Sequence, residues 1–253
     1  MIRLKILICV FFIACLHTNS QAQSVKITPS VTLNYFQAGD ELPYVITTVR
    51  KRIDRRFYPI SGLHVNLTFN KETENALVGS GITNEKGEFK LVLPEKLKAS
   101  WESLDEFDFY ATVLESDSTE EVSESLHISR ARLVLTTDDE SKLITGRIEQ
   151  KTAEGWVPVE EVEMKFIVKR LFGALSLGDD VYTTDGEGRA EVELDQPVPG
   201  DSLGAIIIGC IVEDHDEFGN LFAYTSKVLW GVPTVDDNTA FEKRTLWAPR
   251  DRA

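Results

Sequence analysis

Apolar and polar residues alternate with a period of two along most of the chain, and no stretch of useful length carries a helical period. Leu63, Val65, Leu67 and Phe69 fall on one face while His64, Asn66 and Thr68 fall on the other, the signature of a half-buried strand. The same alternation predicts strands over 31–35 and from Tyr44 to Val49, and again at Phe89, Leu91 and Leu93, where Pro94 ends the run. The segment 96–106 reads as either a short helix or a polar loop, and 107–114 with 126–128 completes a first set of strands. A second set opens near Ala131, with strands over 132–135 and 142–148. Val162, Met164, Phe166 and Val168 then repeat the inward face, followed by Ala190, Val192 and Leu194, and by a closing hairpin of 205–212 with 221–230.

These two sets are the same unit written twice. Pro59 to Phe69 is matched 99 positions later by Pro158 to Val168. The turn Thr83-Asn84-Glu85-Lys86-Gly87 is answered by Thr184-Asp185-Gly186-Glu187-Gly188, and Val113 to Asp117 by Ile211 to Asp214. Offsets near a hundred residues mean tandem domains rather than a short-period solenoid. Short strands separated by regular turn signals predict an all-β fold of two tandem immunoglobulin-like β-sandwich domains after a signal peptide. The boundaries that follow are a leader over 1–22, a first sandwich over 24–130, a second over 131–235 and a disordered tail over 236–253. With no Gly- or Ser-rich spacer, the sandwiches join near Ser129 to Arg132, each keeping its own sheets.

The leader has a basic start at Arg3 and Lys5, an apolar run from Ile6 to Leu16 and small residues at Ser20 and Ala22, which predicts cleavage after Ala22. The run is too short to span a bilayer. Phe12-Ile13-Ala14-Cys15 also resembles a loose lipobox, so lipidation at Cys15 is the rival processing outcome and the only route to a membrane. Of the 3 cysteines, Cys9 and Cys15 lie in the leader, leaving Cys210 alone within an apolar run expected to be a buried strand. Without Arg3 and Lys5, 25 basic face 41 acidic residues, a field that disfavours nucleic acid as a partner. The expected location is periplasmic, outer-membrane-associated or extracellular.

The framework of a small turn, Thr-x-x-x-Gly-x-apolar and a strand resembles bacterial immunoglobulin-like and carboxypeptidase-regulatory-like (transthyretin-like) repeats of envelope proteins. The second unit is similar to Gram-negative envelope proteins through Leu171 to Gly178, Thr184 to Gly188, Pro199-Gly200-Asp201 and Trp230-Gly231-Val232-Pro233. The resemblance covers about residues 40 to 235 and implies a turn-and-strand scaffold with no catalytic residues.

Chemistry-bearing constellations are sparse. His64, His127 and His215 are scattered, no Gly-x-Ser-x-Gly elbow occurs and zinc spacing is absent, so no catalytic residue, cofactor or metal is assigned. Asp214-His215-Asp216-Glu217 reads as a solvated hairpin turn, because adjacent strand positions point to opposite faces. Arg50, Lys51, Arg52, Arg55 and Arg56 form a basic loop suited to an anion on an envelope glycan or to an acidic partner, the other reading being a solvated loop. Leu171, Phe172, Leu175 and Leu177 stand where the first unit has polar Lys71 to Asn75, and so mark either a partner-binding loop or an extension of the core. Two function classes follow: a non-enzymatic exported interaction or structural module of the cell envelope, and a carbohydrate-binding or accessory module of a surface glycan system. Trp101 and Trp156 are the aromatic platforms available to the second, at unrelated positions of the two units. The partner is accordingly an envelope protein or a glycan.

Overall fold

The computed structural model describes residues 26–234 apart from 72, 74 and 75. The leader with Cys15, the tail beyond 235 and part of the 71–75 loop therefore lie outside the described residues. The first unit contains β1 (Ser30–Ala38), β2 (Tyr44–Ile53), β3 (Arg56–Pro59), β4 (His64–Phe69), β5 (Leu77–Ile82), β6 (Glu88–Val92), β7 (Glu106–Val113) and β8 (Val122–Ser129). The second contains β9 (Ala131–Asp138), β10 (Leu143–Thr152), β11 (Gly155–Pro158), β12 (Glu163–Arg170), β13 (Gly173–Ser176), β14 (Tyr182–Thr183), β15 (Arg189–Glu193), β16 (Ile208–His215) and β17 (Gly219–Tyr224). The 96–106 segment holds a short helix, α1 (Lys98–Ser103), after a 3-10 turn.

Both units follow one topology. In the first, β2 lies between β1 and a shared edge of β6 and β3, and this sheet faces β5-β4-β7-β8. In the second, β10 lies between β9 and a shared edge of β15 and β11, facing β13-β12-β16-β17 with β14 also beside β12. The chain is thus all-β, with tandem immunoglobulin-like sandwiches. Alternation along the strands fills each interior. Tyr35, Phe69, Phe107 and Phe109 pack ring against ring in the first unit, with Tyr35 and Phe107 centroids 5.6 Å apart. Ile144, Ile148, Met164, Phe166, Ile208 and Cys210 fill the second. Each such side chain contributes roughly 1.5–3 kcal/mol by leaving water.

The duplicated turn is built twice from the same bonds. The buried Thr83 hydroxyl accepts the Leu63 N–H at 3.1 Å and donates to the Ile60 carbonyl at 2.8 Å. Thr184 does the same with Val162 at 3.0 Å and Val159 at 2.8 Å. Asn84 Oδ1 accepts the N–H groups of Lys86 and Glu88, and Asp185 Oδ1 those of Glu187 and Arg189. Gly87 and Gly188 close the turns at φ of 73° and 70°, where a Cβ would collide with the carbonyls of Val49 and Ile148. These shared neighbours fix Val49 as the counterpart of Ile148, and Pro59 as that of Pro158.

The expectation that each sandwich keeps its own sheets is corrected. β17 of the second unit pairs in parallel with the end of β1, Phe36 opposite Asn220 and Ala38 opposite Phe222, producing one nine-stranded sheet across both units. The physical reason lies in β1, which carries β2 on one edge and presents its other edge at the junction, where β17 satisfies the backbone groups. The Gly39 N–H donates to the Phe222 carbonyl at 2.8 Å, and the Asn220 amide to the Tyr35 carbonyl at 3.1 Å. Phe36 stacks between Tyr44 and Phe222, at 4.9 and 6.4 Å, on the sheet face away from Tyr35, and the cluster of buried side chains on the other face also runs across the junction.

Candidate functional site

Strand direction sorts the connections into poles. The β2–β3 hairpin, the 83–87 turn and the 114–121 loop share the outer pole of the first unit, while the 93–105 connection lies at the junction. In the second unit the β10–β11 and β16–β17 hairpins face the junction. The β12–β13 hairpin and the 194–207 connection occupy its outer pole.

At the junction, Arg130 lies over the ring of Trp101 at 4.5 Å and near that of Trp156 at 5.6 Å, and Arg132 covers Trp156 at 4.4 Å. Arg130 also donates to the carbonyls of Trp101 and Glu102, and its burial pulls the guanidinium below its usual pKa. Lys151 donates to the carbonyls of Glu102 at 3.0 Å and Ser103 at 2.8 Å and pairs with Asp105 at 3.3 Å, binding the C-terminal end of α1. Glu149, buried beside them, is held by Arg132 at 2.6 Å and Arg147 at 3.0 Å. The two tryptophans, read from the sequence as unrelated, therefore meet at one place. A glycan platform requires a free aromatic face. Trp101 is buried, and guanidinium groups cover Trp156, so these rings act as structural contacts.

The basic segment is a projecting hairpin rather than a loop between strands. Arg50, Lys51 and Arg52 belong to β2 and Arg56 to β3, with Asp54 and Arg55 forming the turn at positive φ. Cross-strand pairing puts Arg50, Arg52 and Phe57 on one face and Lys51, Ile53, Arg56 and Tyr58 on the other, so the charges do not converge on a single anion. Among the described residues none of the five basic side chains makes an ion pair.

The apolar segment also proves to be a hairpin. Leu171 and Phe172 at its tip are 89% and 94% exposed, and Leu175 on β13 is partly exposed. Leu177 is corrected: at 5% exposure it belongs to the core, because the chain has re-entered the sandwich where its N–H bonds the Phe166 carbonyl at 2.8 Å. Leu203 and Leu229, also exposed, lie at this end of the chain fold, and Leu171 borders a groove shared with Gly200, Asp201 and Ile206. Sequence reading missed Leu203, which stands alone among turn residues, and assigned Leu229 to the closing strand 221–230, whereas that strand ends at Tyr224.

The remaining chemistry-bearing groups are dispersed. Burial pushes the Cys210 thiol up to about 12, which keeps it protonated and unreactive. His127 Nδ1 pairs with Asp108 at 2.8 Å on an exposed strand face, and His215 stacks on Phe218 at 4.5 Å. The 214–217 segment is part of the β16–β17 hairpin, where the Asp214 N–H is taken by Asn220 Oδ1 at 3.0 Å. Among the described residues no group of three or more His, Cys, Asp or Glu side chains is placed to hold a metal ion. Nor is any described helix long and apolar enough to cross a membrane.

No family model matches the chain, and no curated protein matches it. Among solved structures, it is similar to a tetra-tandem repeat in the extending region of a large adhesion protein, at 11% identity and a TM-score of 0.27. That alignment covers 78% of this chain and 50% of the other, so the chain spans about half the length of that structure. The BSP domain of a biofilm-associated protein gives 11% identity and a TM-score of 0.28, covering 82% of this chain and 30% of that one. The D0-D1 domain of intimin gives 16% identity and a TM-score of 0.29, covering 80% and 99%. Likenesses this distant carry no functional argument.

Proposed function

We propose that the chain is a non-enzymatic exported interaction or structural module of the bacterial cell envelope, a stiff β scaffold presenting hairpins at its two poles. The observation that carries this reading is the sheet shared across the junction, which ties the basic hairpin and the apolar hairpin to one body. Sandwiches joined by a free linker would let those ends wander relative to one another. The leader pattern over 1–22 supports export, and the net charge of −14 supports solubility outside the cell. Leu171 and Phe172 are the side chains that meet the partner, since they are apolar, unsupported by the core and projected at the outer pole. Leu175 extends the same contact along β13.

The test is the double variant Leu171→Ser/Phe172→Ser, expressed in a bacterium with its leader and cross-linked in place. The variant should unfold at the temperature of the parent, because neither side chain is buried, while envelope proteins cross-linked to the parent are lost. Retention of the same cross-linked set by a folded variant would move the contact elsewhere and refute this assignment.

A further inference from the structure

The β2–β3 hairpin leaves the sandwich with both faces in water. Its last paired neighbours are Ser30 of β1, opposite Arg50, and Glu88 of β6, opposite Thr48. Beyond them the pairs Lys51–Tyr58, Arg52–Phe57 and Ile53–Arg56 and the Asp54-Arg55 turn extend without a strand on either side. At about 3.4 Å per residue the tip reaches about 10 Å past the sheet. One face sets Arg52 beside Phe57, and the other sets Lys51 and Arg56 beside Ile53 and Tyr58. Phe57, Ile53 and Tyr58 are 55%, 46% and 43% exposed, so neither face is spent on the core.

The twin hairpin β10–β11 shows how this molecule builds such a ribbon when a protein surface receives it. Its engaged face carries the charged and aromatic strand residues Glu149, Lys151 and Trp156, which meet the end of α1, Arg130 and Arg132. The reverse face holds Gln150, Thr152, Gly155 and Val157, with neither a charge nor a ring. The free hairpin differs in carrying cations and apolar side chains on both faces. A protein surface or a glycan strand lies along one face and leaves the other in water. A lipid headgroup layer receives both faces at once, with aromatic rings at its boundary and Lys and Arg stems buried up to their charged ends.

Charge selects an anionic layer. Residues 50–56 hold five basic residues and one acidic residue in a chain of net −14. The acids of this pole belong to loops at the sheet end, where Glu115 is paired with Lys26 and Glu120 accepts the Thr28 hydroxyl. The Debye length at physiological ionic strength is about 8 Å, so over the reach of the tip the negative field of the sandwich is largely screened from a surface that the tip touches. We propose that the β2–β3 hairpin docks the folded chain on an anionic lipid bilayer. Ile53, Phe57 and Tyr58 enter the headgroup layer, and the five basic residues around them pair with lipid phosphates. This function lies at the pole opposite Leu171 and Phe172, goes beyond the partner contact there and needs no lipid at Cys15.

Flotation with vesicles of phosphatidylglycerol and phosphatidylcholine in equal parts tests this, using the chain from residue 23 onward so that nothing attached at Cys15 contributes. The chain should float with these vesicles, be released by high salt and ignore vesicles of phosphatidylcholine alone. Arg52→Glu/Arg56→Glu removes one cation from each face. It should unfold at the temperature of the parent and bind at least about 25-fold more weakly, about fivefold for each cation removed. Phe57→Trp and Tyr58→Trp report on opposite faces, and each, read as a difference from the parent, should shift its emission to the blue on the vesicles. Leu171→Ser/Phe172→Ser should float as the parent does, so loss of its cross-linked envelope proteins is read separately and either reading can fail alone. No binding to the anionic vesicles, equal binding to the neutral ones, or undiminished binding by Arg52→Glu/Arg56→Glu would each overturn the proposal. So would loss of flotation by Leu171→Ser/Phe172→Ser. A shift at only one of the two tryptophans would overturn it as well, and the same one-sided shift with dextran sulfate would identify a polysaccharide strand as the occupant.

Discussion

The hairpins β2–β3 and β10–β11 are one piece of structure in two settings. Each turns through two residues, Asp54-Arg55 or Ala153-Glu154, and each sets a cation across from an aromatic ring. In the second unit the pair is held by carbonyls of the first unit and by the Arg130 and Arg132 guanidinium groups, while in the first unit it meets water. One position shows how deeply the settings differ. Arg50 is exposed, whereas its counterpart Glu149 is buried and bound by two arginines. A charge is tolerated inside only when paired, and Arg132 of β9 and Arg147 of β10 supply the pair. The shared topology sets the shape of the hairpin, and its neighbour decides whether it stabilises the molecule or remains available to a partner.

The largest effect should come from removing the ring in each setting. Trp156→Ala loses packing and its cation–π contacts and should cost about 2 kcal/mol in chemical denaturation. Phe57→Ala should change stability by no more than about 0.5 kcal/mol. Equal losses would mean that the two hairpins are not in different settings.

A smaller difference lies in the repeated turn, where Asn84 in one unit is Asp185 in the other. N–H bonds from Arg189 and Glu187 hold the Asp185 carboxylate below the ordinary aspartate value of 3.8. Its lowered value means that its contribution is complete above that pH and fades as pH falls through the folded-state value. Asn84 does not titrate. Amide shifts of Glu187 and Arg189 should therefore move in acid while those of Lys86 and Glu88 do not follow a carboxylate titration. Asp185→Asn should abolish the difference, and a response that survived it would contradict the assignment.

Much of the fold was legible in the sequence, and the reasons are local. Leu63 to Phe69 and Met164 to Val168 alternate because each strand has one buried face, and Gly87 and Gly188 mark turns that only a left-handed residue closes. Arg50 to Arg56 looked like a loop because the hairpin outruns the sandwich, so neither face is buried and no apolar period is written into it. Leu177 was grouped with Leu171 because one apolar run crosses from an exposed tip into the core, a change of environment that composition does not record. The meeting of Trp101 with Trp156 had no signal in either segment. It arises where unlike poles of two units stack, and such a contact depends on neither strand period nor turn residues.

The claim on which the account depends is that the shared sheet and the Arg130 contacts hold the two units as one body. Spin labels on exposed positions, Glu85 in the outer turn of the first unit and Glu140 in that of the second, allow the distance between the poles to be measured by pulsed dipolar spectroscopy. The account predicts one narrow distance population in the parent chain. A broad distribution of the kind a flexible linker produces would contradict it.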